Sequence, residues 1–339
     1  MKTQKILITG GAGFIGSNFI PYFLQKNKSV DIINLDKLTY AGNLQNLQEV
    51  EKSDRYEFYE GDICDDILLN EIFIANDITG IIHFAAESHV DNSISGPSAF
   101  IKTNIRGTFS LLEAARKNWL SKEQTPNPFV SSRRFLHVST DEVFGSLGQD
   151  GFFTEESPYR PNSPYSASKA SSDFLVRSYH HTYGLNTLIS NCSNNYGPKQ
   201  HGEKLIPTII RKALNKEPIP IYGDGKNVRD WLYVMDHCAA LSLIYQKGQP
   251  GESYVIGGNN ECSNIHIAKE VCQILDEEMP LSIGSYSNLI TFVKDRPGHD
   301  FRYAIDASKV ENILDWKSET NFSEGLRKTI KWYINRLEL

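Results

Sequence analysis

A glycine-rich turn between a short strand and a helix constrains the fold of this chain more than any other feature. Lys5–Thr9 has the apolar character of a buried strand, and Gly10-Gly11-Ala12-Gly13-Phe14-Ile15-Gly16 follows at once. Ile15, Phe19 and Ile20 then begin a helical apolar spacing. A phosphate fits on such a helix N-terminus, where free backbone N–H groups and the helix dipole attract anions. The alternative is an ordinary glycine-rich turn, but the strand before it and the helix after it favour a dinucleotide site.

Acidic residues end the next two predicted strands. The strand Val30–Asp36 ends in Asp36, about twenty residues past the last glycine, where a carboxylate can bond the ribose diol of a dinucleotide. Such a carboxylate repels a 2′-phosphate and favours NAD over NADP, although Lys37 weakens that inference. In the third strand-like segment, Asp62 could accept from an adenine amino group and Ile63 could pack on the ring. The alternative for Asp36 is a surface acid at a strand end.

A fourth strand is predicted at Gly80–Ala86, and a helix is predicted over Ala99–Lys117. The small Ala85 and Ala86 would let a cofactor lie close to the backbone. His83 stands in the apolar run and is interpreted as a hydrogen-bonded core residue rather than a ligand. Strands that alternate with helices indicate βαβ units. We therefore expect an α/β protein with a Rossmann-type doubly wound parallel sheet and a smaller C-terminal substrate-binding domain.

A fifth strand leads into a hydroxyl and two carboxylates. The run Phe135–Gly145 is apolar at its start and contains Thr140, Asp141 and Glu142 near its end. In an open parallel sheet, ligands bind beyond the carboxyl ends of the strands. Two adjacent carboxylates there can divide acid and base work if their environments separate their pKa values. The alternative is a solvated acidic loop, the usual setting of such residues.

A helix that begins after Ser163 carries a tyrosine and a lysine on one face. Ser163 can cap this helix, Pro164 suits its first position, and Gly184 would end it. Tyr165 and Lys169 are four residues apart and therefore share a face. An ammonium beside the phenol favours the phenolate, and would lower the pKa of Tyr165 toward neutrality by roughly three units. The alternative is an exposed tyrosine and an unrelated lysine.

Beyond Asn191 the sequence becomes polar and rich in glycine and proline, as in loops that bind ligands. Lys204, Arg229 and Arg296 are candidate cations for an anionic substrate, because arginine matches diphosphate oxygens well. The alternative for each is a solvated surface charge. Tyr254–Ile256 is interpreted as a return to the large sheet.

Charge and composition exclude several classes of function. The net charge of −6 over 339 residues argues against general nucleic-acid binding. The five cysteines have no metal-like spacing, so we expect reduced thiols, no metal site and a cytoplasmic protein. We expect neither a signal peptide nor a membrane span. The segment Ser121–Arg133 is interpreted as a surface loop without a function.

Over nearly its whole length the chain resembles the extended short-chain dehydrogenase/reductase family, through the glycine-rich turn, Asp36, Asp62 and Tyr165-Ser166-Ala167-Ser168-Lys169. More specific motifs resemble the branch of that family that removes water from dTDP-glucose. Phe144 departs from the tyrosine usual there, and Gly202 from a bulkier residue. The specific motifs are His83-Phe84-Ala85-Ala86-Glu87-Ser88-His89-Val90-Asp91, Thr140-Asp141-Glu142, Asn194-Asn195-Tyr196-Gly197-Pro198, Glu203-Lys204-Leu205-Ile206-Pro207, Arg229-Asp230-Trp231-Leu232 and Asp295-Arg296-Pro297-Gly298-His299-Asp300.

The resemblance implies NAD as the cofactor, dTDP-glucose as the substrate and a homodimer paired through two helices, at about 99–117 and 165–183. It implies an NAD-binding domain over 1–193, with 231–258 returning to it, and a sugar-nucleotide-binding domain over 194–230 and 259–339. The implied catalytic residues are Thr140, Asp141, Glu142, Tyr165 and Lys169. Those implied along the cofactor are Gly10, Gly13, Phe14, Ile15, Gly16, Asp36, Lys37, Leu38, Thr39, Asp62, Ile63, Phe84, Ala85, Ala86, Thr103, Tyr165, Lys169 and Asn195. Those implied along the substrate are Ser88, Thr140, Asn194, Lys204, Leu205, Pro220, Tyr222, Arg229, Asn264, Asp295, Arg296 and His299.

Two other functions remain as alternatives. One is another nucleotide-sugar enzyme of the same family, an epimerase or decarboxylase. The other is a non-catalytic NAD-binding regulatory protein. The adjacent Asp141 and Glu142 favour dehydration over epimerisation, because loss of water needs both an acid and a base. The intact Tyr165 and Lys169 favour an enzyme over a sensor, which needs no proton transfer.

Overall fold

A seven-stranded parallel sheet organises the computed structural model, which describes residues 4–120, 133–295 and 297–337. The strands are β1 (Gln4–Thr9), β2 (Val30–Asp36), β3 (Tyr56–Glu60), β4 (Ile78–His83), β5 (Arg134–Thr140), β6 (Thr187–Cys192), β7 (Asn194–Tyr196), β8 (Ile219–Tyr222), β9 (Val228–Tyr233), β10 (Ser253–Ile256), β11 (Glu261–Ser263) and β12 (Ile290–Val293). The helices are α1 (Phe14–Lys26), α2 (Asp66–Ala75), α3 (Val90–Ser95), α4 (Pro97–Phe100), α5 (Thr108–Trp119), α6 (Pro164–Tyr183), α7 (Leu205–Leu214), α8 (Val234–Lys247), α9 (Asn264–Glu278), α10 (Ser308–Leu314) and α11 (Phe322–Leu337).

The large sheet has the strand order β10-β6-β5-β4-β1-β2-β3. Every adjacent pair in it is parallel. The order reverses direction between β1 and β4, which is the switch point where ligands bind in doubly wound folds. Separate apolar clusters cover the sheet, one that contains Ile6 and Ile8 and one that contains Leu7. Because neighbouring residues of a strand point to opposite faces, helices cover both sides. The predicted Rossmann-type sheet is confirmed.

Local sequence signals set the ends of α6. The side chain of Ser163 accepts a hydrogen bond from the backbone of Ser166, whose own side chain bonds back to Ser163. Pro164 occupies the first turn, and Gly184 ends the helix in the left-handed region at φ 70°. These three roles were predicted, and they place Tyr165 in the first turn beside the sheet.

The predicted single α-helix over Ala99–Lys117 is wrong, because the segment is not α-helical throughout. The chain forms α4, then a wider π-helical stretch over Ile101–Gly107, and only then α5. The cause is Asn104, whose side chain accepts from the backbone N–H of Glu87 and donates to its carbonyl and to Ser168. π-Helical turns of this kind are frequent at functional sites, and Thr103 lies within this one.

A smaller unit follows β6. There β9 lies between β7 and β11, and β8 pairs with β12. An apolar cluster of its own includes Ile209, Trp231 and Leu275. The chain returns to the large sheet through α8 and β10, as the pattern of Tyr254–Ile256 predicted.

Some sequence-based expectations concern absences or fall outside the described residues. Arg296 and residues 121–132 of the predicted loop lie outside them. No helix of the described chain is long and apolar enough to cross a membrane. The described part holds no cluster of His, Cys, Asp or Glu suited to a metal ion. All five cysteines carry free thiols.

Candidate active site

The glycine-rich turn brings the backbone of β1 close to the end of β4. Gly10 has φ 72°, and a Cβ atom there would lie 2.5 Å from the backbone nitrogen of Ala85. A Cβ on Gly16 would lie 2.5 Å from the carbonyl oxygen of Gly10. Only glycine fits at these two positions, so the turn stays tight and the N-terminus of α1 faces the switch point.

Asp36, at the end of β2, ties the surrounding loops together. Its Oδ2 accepts from the backbone N–H of Ala12 at 2.9 Å, and its Oδ1 accepts from that of Leu38 at 2.9 Å. Leu38 adopts φ 53°, a left-handed conformation that this hydrogen bond supports. Burial raises the pKa of Asp36, and the two backbone bonds oppose that rise. Each carboxylate oxygen has a second lone pair that can accept a ribose hydroxyl.

Asp62, at the end of β3, lies among cations. Its carboxylate pairs with Lys37 at 2.9 Å and with Lys102 at 3.6 Å, and it accepts from the backbone N–H of Cys64. Burial tends to raise the pKa of Asp62, but the Cys64 bond and the Lys37 ammonium outweigh burial, so the pKa is lowered. The carboxylate therefore stays an acceptor, as its predicted role toward an adenine amino group requires.

One cleft runs along the carboxyl ends of the central strands. Leu38 does not line it and instead supports Asp36. The predicted cofactor residues that line it are Gly10, Gly13, Phe14, Ile15, Gly16, Asp36, Lys37, Thr39, Asp62, Ile63, Phe84, Ala85, Ala86, Thr103, Tyr165, Lys169 and Asn195. The predicted substrate residues that line it are Ser88, Thr140, Asn194 and Lys204.

The two adjacent carboxylates at the end of β5 lie in different environments. Asp141 is 1% exposed, whereas Glu142 is only partly buried and also lines the cleft. Burial raises the pKa of Asp141 well above its usual range, and the carboxylates of Glu142 and Asp230 raise it further. Of the two carboxyl groups, Asp141 is therefore the one whose environment favours the protonated form. The sequence left that question open.

Thr140 connects the acidic pair to the tyrosine. Its hydroxyl donates to Asp141 Oδ1 at 3.3 Å and accepts from the backbone N–H of Glu142 at 3.2 Å. Thr140 also hydrogen-bonds to the phenol of Tyr165. The hydroxyl therefore lies between the phenol and the buried acid, where a substrate hydroxyl would also be held.

The expected fall of the Tyr165 pKa toward neutrality is wrong for this structure, because burial outweighs any stabilisation of the phenolate by Lys169. Burial raises the pKa of Tyr165 well above 10, and the charge of Glu142 adds to the rise. Lys169 does lie four residues along α6, but its ammonium donates to the carbonyl of Val138 at 2.9 Å. The ammonium also lies 3.3 Å from His137 Nε2. These contacts direct the lysine toward β5.

His83 is a core residue, as predicted. Its Nδ1 lies 2.7 Å from the hydroxyl of Thr9, and its Nε2 lies 3.0 Å from that of Thr108. Burial lowers the pKa of His83 far below 6.5, so the ring is neutral. Its polar atoms are satisfied, and it links β1, β4 and α5.

Several residues predicted along the substrate lie outside the cleft lining, on the smaller unit. Tyr222 donates to Asp91 at 3.3 Å and stands edge-on to the ring of His299, with 6.3 Å between centroids. His299 pairs with Asp295 at 2.6 Å. These contacts bring β8 and the 295–299 loop together beside α3. The predicted residues outside the lining are Leu205, Pro220, Tyr222, Arg229, Asn264, Asp295 and His299.

Arg229, predicted as a cation for an anionic substrate, is not the solvated surface charge of the alternative reading. It is 5% exposed, and its guanidinium donates to the carbonyls of Val228, Asp300 and Phe301. It also stacks on Tyr303 at 4.2 Å from the ring centroid. From this position its charge lowers the pKa of Asp141 and partly opposes burial.

Other residues of the cleft were missed by sequence analysis. Glu87 and Glu203 face each other across the cleft, and burial together with the Glu203 charge raises the pKa of Glu87. His201 stands edge-on to Tyr40, 5.4 Å between centroids. Cys192, buried at the end of β6, has a pKa raised to about 12 by burial. The signal for Glu87 was available, because it directly follows the fourth strand.

Comparison with known proteins identifies the family. The family model described as GDP-mannose 4,6 dehydratase matches residues 7–329. The chain belongs to that family. A probable dTDP-glucose 4,6-dehydratase of Sinorhizobium fredii is 54% identical over 331 residues, which cover 98% of this chain and 93% of the relative. The crystal structure of dTDP-glucose 4,6-dehydratase from Bacillus anthracis in complex with NAD superposes with a TM-score of 0.86 at 44% identity, covering 99% of this chain and 98% of that one.

Proteins with this fold catalyse different reactions, so the fold alone does not identify the reaction. A UDP-glucose 4-epimerase from Thermotoga maritima has a TM-score of 0.85 at 27% identity, covering 98% of this chain and all of the other. The choice between dehydration and epimerisation therefore rests on side chains rather than on the fold.

Proposed function

We propose that this protein is an NAD-dependent dTDP-glucose 4,6-dehydratase, a hydro-lyase. It converts dTDP-glucose into dTDP-4-keto-6-deoxyglucose and water, as a step in deoxysugar biosynthesis. The observation that carries the proposal is the pair at the end of β5, in which Asp141 lies in a buried site that raises its pKa while Glu142 lines the cleft and is only partly buried. Curated relatives with this activity, at about half the residues identical along almost the whole chain, support it.

The cleft fits NAD. A side chain at Gly10 or Gly16 would clash with neighbouring backbone, so the turn beneath the diphosphate must be built from glycine. The N-terminus of α1 offers its free backbone N–H groups to the diphosphate. Asp36 can hold the ribose diol, and Asp62 the adenine. The proposed cofactor residues are those predicted from the sequence, with Leu38 acting through Asp36. When bound, NAD supplies a positively charged ring that accepts a hydride from the sugar and later returns it.

The first step is oxidation at C4 of the glucose. Thr140 holds the C4 hydroxyl, and Tyr165 takes its proton as the phenolate. The buried phenol needs positive charge to ionise, because burial and Glu142 raise its pKa. Lys169, buried four residues along α6 from Tyr165, is the cation proposed to supply that charge. The C4 hydrogen leaves as hydride, and the C4 ketone that forms makes the C5 proton acidic.

The second step is loss of water across C5 and C6. Glu142 removes the C5 proton, and Asp141 donates its proton to the departing C6 hydroxyl. Hydride then returns to C6, and Glu142 returns a proton to C5. The two carboxylates need opposite protonation states at the start, and their different burial supports that division.

The substrate lies between the cleft and the smaller unit. We propose that Ser88, Asn194 and Lys204, which line the cleft, contact the sugar and the diphosphate. The other predicted substrate residues would lie along the rest of the nucleotide, with the two arginines on the diphosphate side. These are Leu205, Pro220, Tyr222, Arg229, Asn264, Asp295, Arg296 and His299.

We further propose the domain division 1–193 with 231–258 for NAD, and 194–230 with 259–339 for the sugar nucleotide. The position of β10 in the large sheet supports the return, although β9 pairs with β7 in the smaller sheet. A homodimer would form through α5 and α6, where Phe174 is 58% exposed. The free cysteines suit a cytoplasmic protein.

One assay separates this proposal from its alternatives. The protein is incubated with NAD and dTDP-glucose, and the sugar nucleotide is analysed by mass spectrometry and NMR. Loss of one water supports the dehydratase. An unchanged mass with inverted C4 supports an epimerase, and an unchanged sugar with bound NAD supports a regulatory protein. Competition among dTDP-, UDP- and CDP-glucose then tests the base.

A further inference from the structure

A layer of buried polar side chains lies beneath Tyr165 and Lys169, and the proposed reaction does not use it. Its centre is Asp173, on α6 four residues after Lys169 and 1% exposed. The Oδ2 atom of Asp173 accepts three hydrogen bonds at 2.9–3.0 Å, from Ser139 Oγ, Tyr159 Oη and Asn191 Nδ2. A buried carboxylate with this many partners is held in one position.

His137 lies between this carboxylate and the lysine. Its Nε2 is 3.3 Å from Lys169 Nζ and 3.3 Å from Asp173 Oδ1. One ring nitrogen cannot accept from the ammonium and donate to the carboxylate at the same time, so each tautomer serves one neighbour. Among the described residues, His137 Nδ1 and Asp173 Oδ1 make no hydrogen bond. The three groups form a row of ammonium, imidazole and carboxylate.

Electrostatics explains why a carboxylate lies in this row. Lys169 is 3% exposed, and a buried ammonium is costly unless an opposite charge lies near it. Burial lowers the pKa of Lys169 to about 8, and the charge of Asp173 opposes that fall. The groups packed around the lysine are otherwise neutral near pH 7. They are His83 from β4, His137 from β5, Cys192 from β6 and Tyr165 from α6, and burial shifts the pKa of each toward its neutral form.

We propose that Asp173 is the buried counter-ion that keeps Lys169 charged and in place beneath Tyr165, with His137 as the neutral spacer between them. Asp173 is thus a positioning residue, and its role in catalysis rests on the proposed function. The Asp173 carboxylate also helps to fix the position of Thr140, the residue proposed to hold the C4 hydroxyl. Asn191 donates to Asp173 and to the backbone carbonyl of Thr140 at 3.1 Å, so the ends of β5 and β6 are tied to one anion.

The test removes the charge and keeps the shape. In Asp173→Asn, the lysine loses its proton at a lower pH, and the basic limb of the kcat–pH profile moves down by about one unit, the shift that ~1.4 kcal/mol of lost charge stabilisation gives. Well above the wild-type pKa, kcat falls roughly tenfold, because a shift of one unit lowers the protonated fraction of the lysine about tenfold there. KM changes little, since the lysine acts on the reacting step.

A second readout needs no catalysis. Lys169 has a folded pKa of about 8, below its unfolded value of 10.5, so between these values the unfolded state binds the extra proton. The free energy of unfolding of the wild type therefore gains a contribution from this lysine as pH rises through that window. In Asp173→Asn the same rise begins at a lower pH, which urea unfolding across a pH series measures.

Two controls isolate the charge. Tyr159→Phe removes one hydrogen bond to Asp173 and keeps the carboxylate, so the free energy of unfolding falls. Two pH positions should stay at their wild-type values: the basic limb of the kcat–pH profile, and the pH at which the free energy of unfolding begins to rise. His137→Gln keeps a neutral polar spacer and also leaves them in place. If Asp173→Asn does not fold, Asp173→Ser replaces it, because the smaller neutral hydroxyl also removes the charge.

Wild-type pH positions in Asp173→Asn, or in Asp173→Ser where it is used, would overturn the inference. A shift in Tyr159→Phe as large as that in Asp173→Asn would also overturn it, because packing rather than charge would then be the cause. Failure of the proposed function looks different. The wild type would leave dTDP-glucose unchanged, and the unfolding curves would still decide whether Asp173 holds the charge of Lys169.

Discussion

Replacement of Asp141 by Asn should stop the reaction after C4 oxidation. Asp141 is 1% exposed and protonated at rest, because burial and neighbouring carboxylates raise its pKa. Asn has the same shape and is also neutral, so the hydrogen bond from Thr140 can persist. The variant loses one property, the proton that the departing C6 hydroxyl requires. Thr140, Tyr165 and Lys169 remain in place for oxidation.

The expected magnitude follows from general acid catalysis, which contributes about 10²–10⁴-fold in typical enzymes. Elimination in Asp141→Asn should slow by that factor, equivalent to about 3–5 kcal/mol in the barrier. The stability of Asp141→Asn, in contrast, should not fall. An acid with a raised folded pKa destabilises the fold as pH rises above its unfolded pKa of about 3.9, because the unfolded state ionises first. The variant cannot ionise, so at neutral pH it should unfold at or above the wild-type temperature.

Single-turnover mixing followed by acid quench and mass spectrometry measures both steps. The wild type should show the dehydrated product, and Asp141→Asn should accumulate the 4-keto sugar, lighter than the substrate by two hydrogens. The matched variant Glu142→Gln should accumulate the same ketone, because it lacks the C5 base. Wild-type elimination in Asp141→Asn would refute the assignment of Asp141 as the acid, and a loss of oxidation would place Asp141 in the first step instead.

Three further changes have defined outcomes. Tyr165→Phe should reduce C4 oxidation by about 10²–10⁴-fold, and a ketone formed at the wild-type rate in quenched single turnovers would contradict its role as base. Gly10→Ala should weaken NAD binding by more than roughly tenfold, because its Cβ meets Ala85 at 2.5 Å, whereas Gly13→Ala meets only one carbonyl oxygen, at 3.3 Å, and should bind nearly normally in a titration. Buried neutral His137 and His237 have pKa values lowered by burial to about 4 and about 3. Since the unfolded state binds protons first, the free energy of unfolding should fall as pH drops below about 6.5, by up to ~1.4 kcal/mol per pH unit for each histidine; a flat urea-unfolding series would contradict this.

Sequence periodicity was sufficient for the large sheet. Val30–Asp36 is predicted and observed with the same bounds, because an apolar run between polar turns has few alternatives. The caps of α6 were equally clear, since Ser163, Pro164 and Gly184 act locally. Residues fixed by local rules at strand ends, such as Asp36 and Thr140, therefore fell in the cleft as expected.

Residues whose roles depend on distant partners could not be predicted in the same way. Arg229 looked like an exposed cation, but three carbonyls from distant segments surround it. The π-helical turn at Ile101–Gly107 depends on Asn104 reaching Glu87, which no helical period reveals. The direction of Lys169 depends on Val138 and on burial, so helical spacing correctly placed it on the face of Tyr165 but not toward its hydroxyl.

The different burial of the two carboxylates also determines how the site resets. In the proposed steps, Tyr165 gains the proton of the C4 hydroxyl, Asp141 loses a proton to the departing water, and Glu142 returns the proton it took. After each turnover, Tyr165 therefore carries an extra proton, and Asp141 lacks the proton it started with. Thr140 bonds to both groups, at 3.3 Å from Asp141 Oδ1. Because burial raises the pKa of Asp141, the transfer of that proton from the phenol costs less free energy than a transfer to an exposed carboxylate at the same position would.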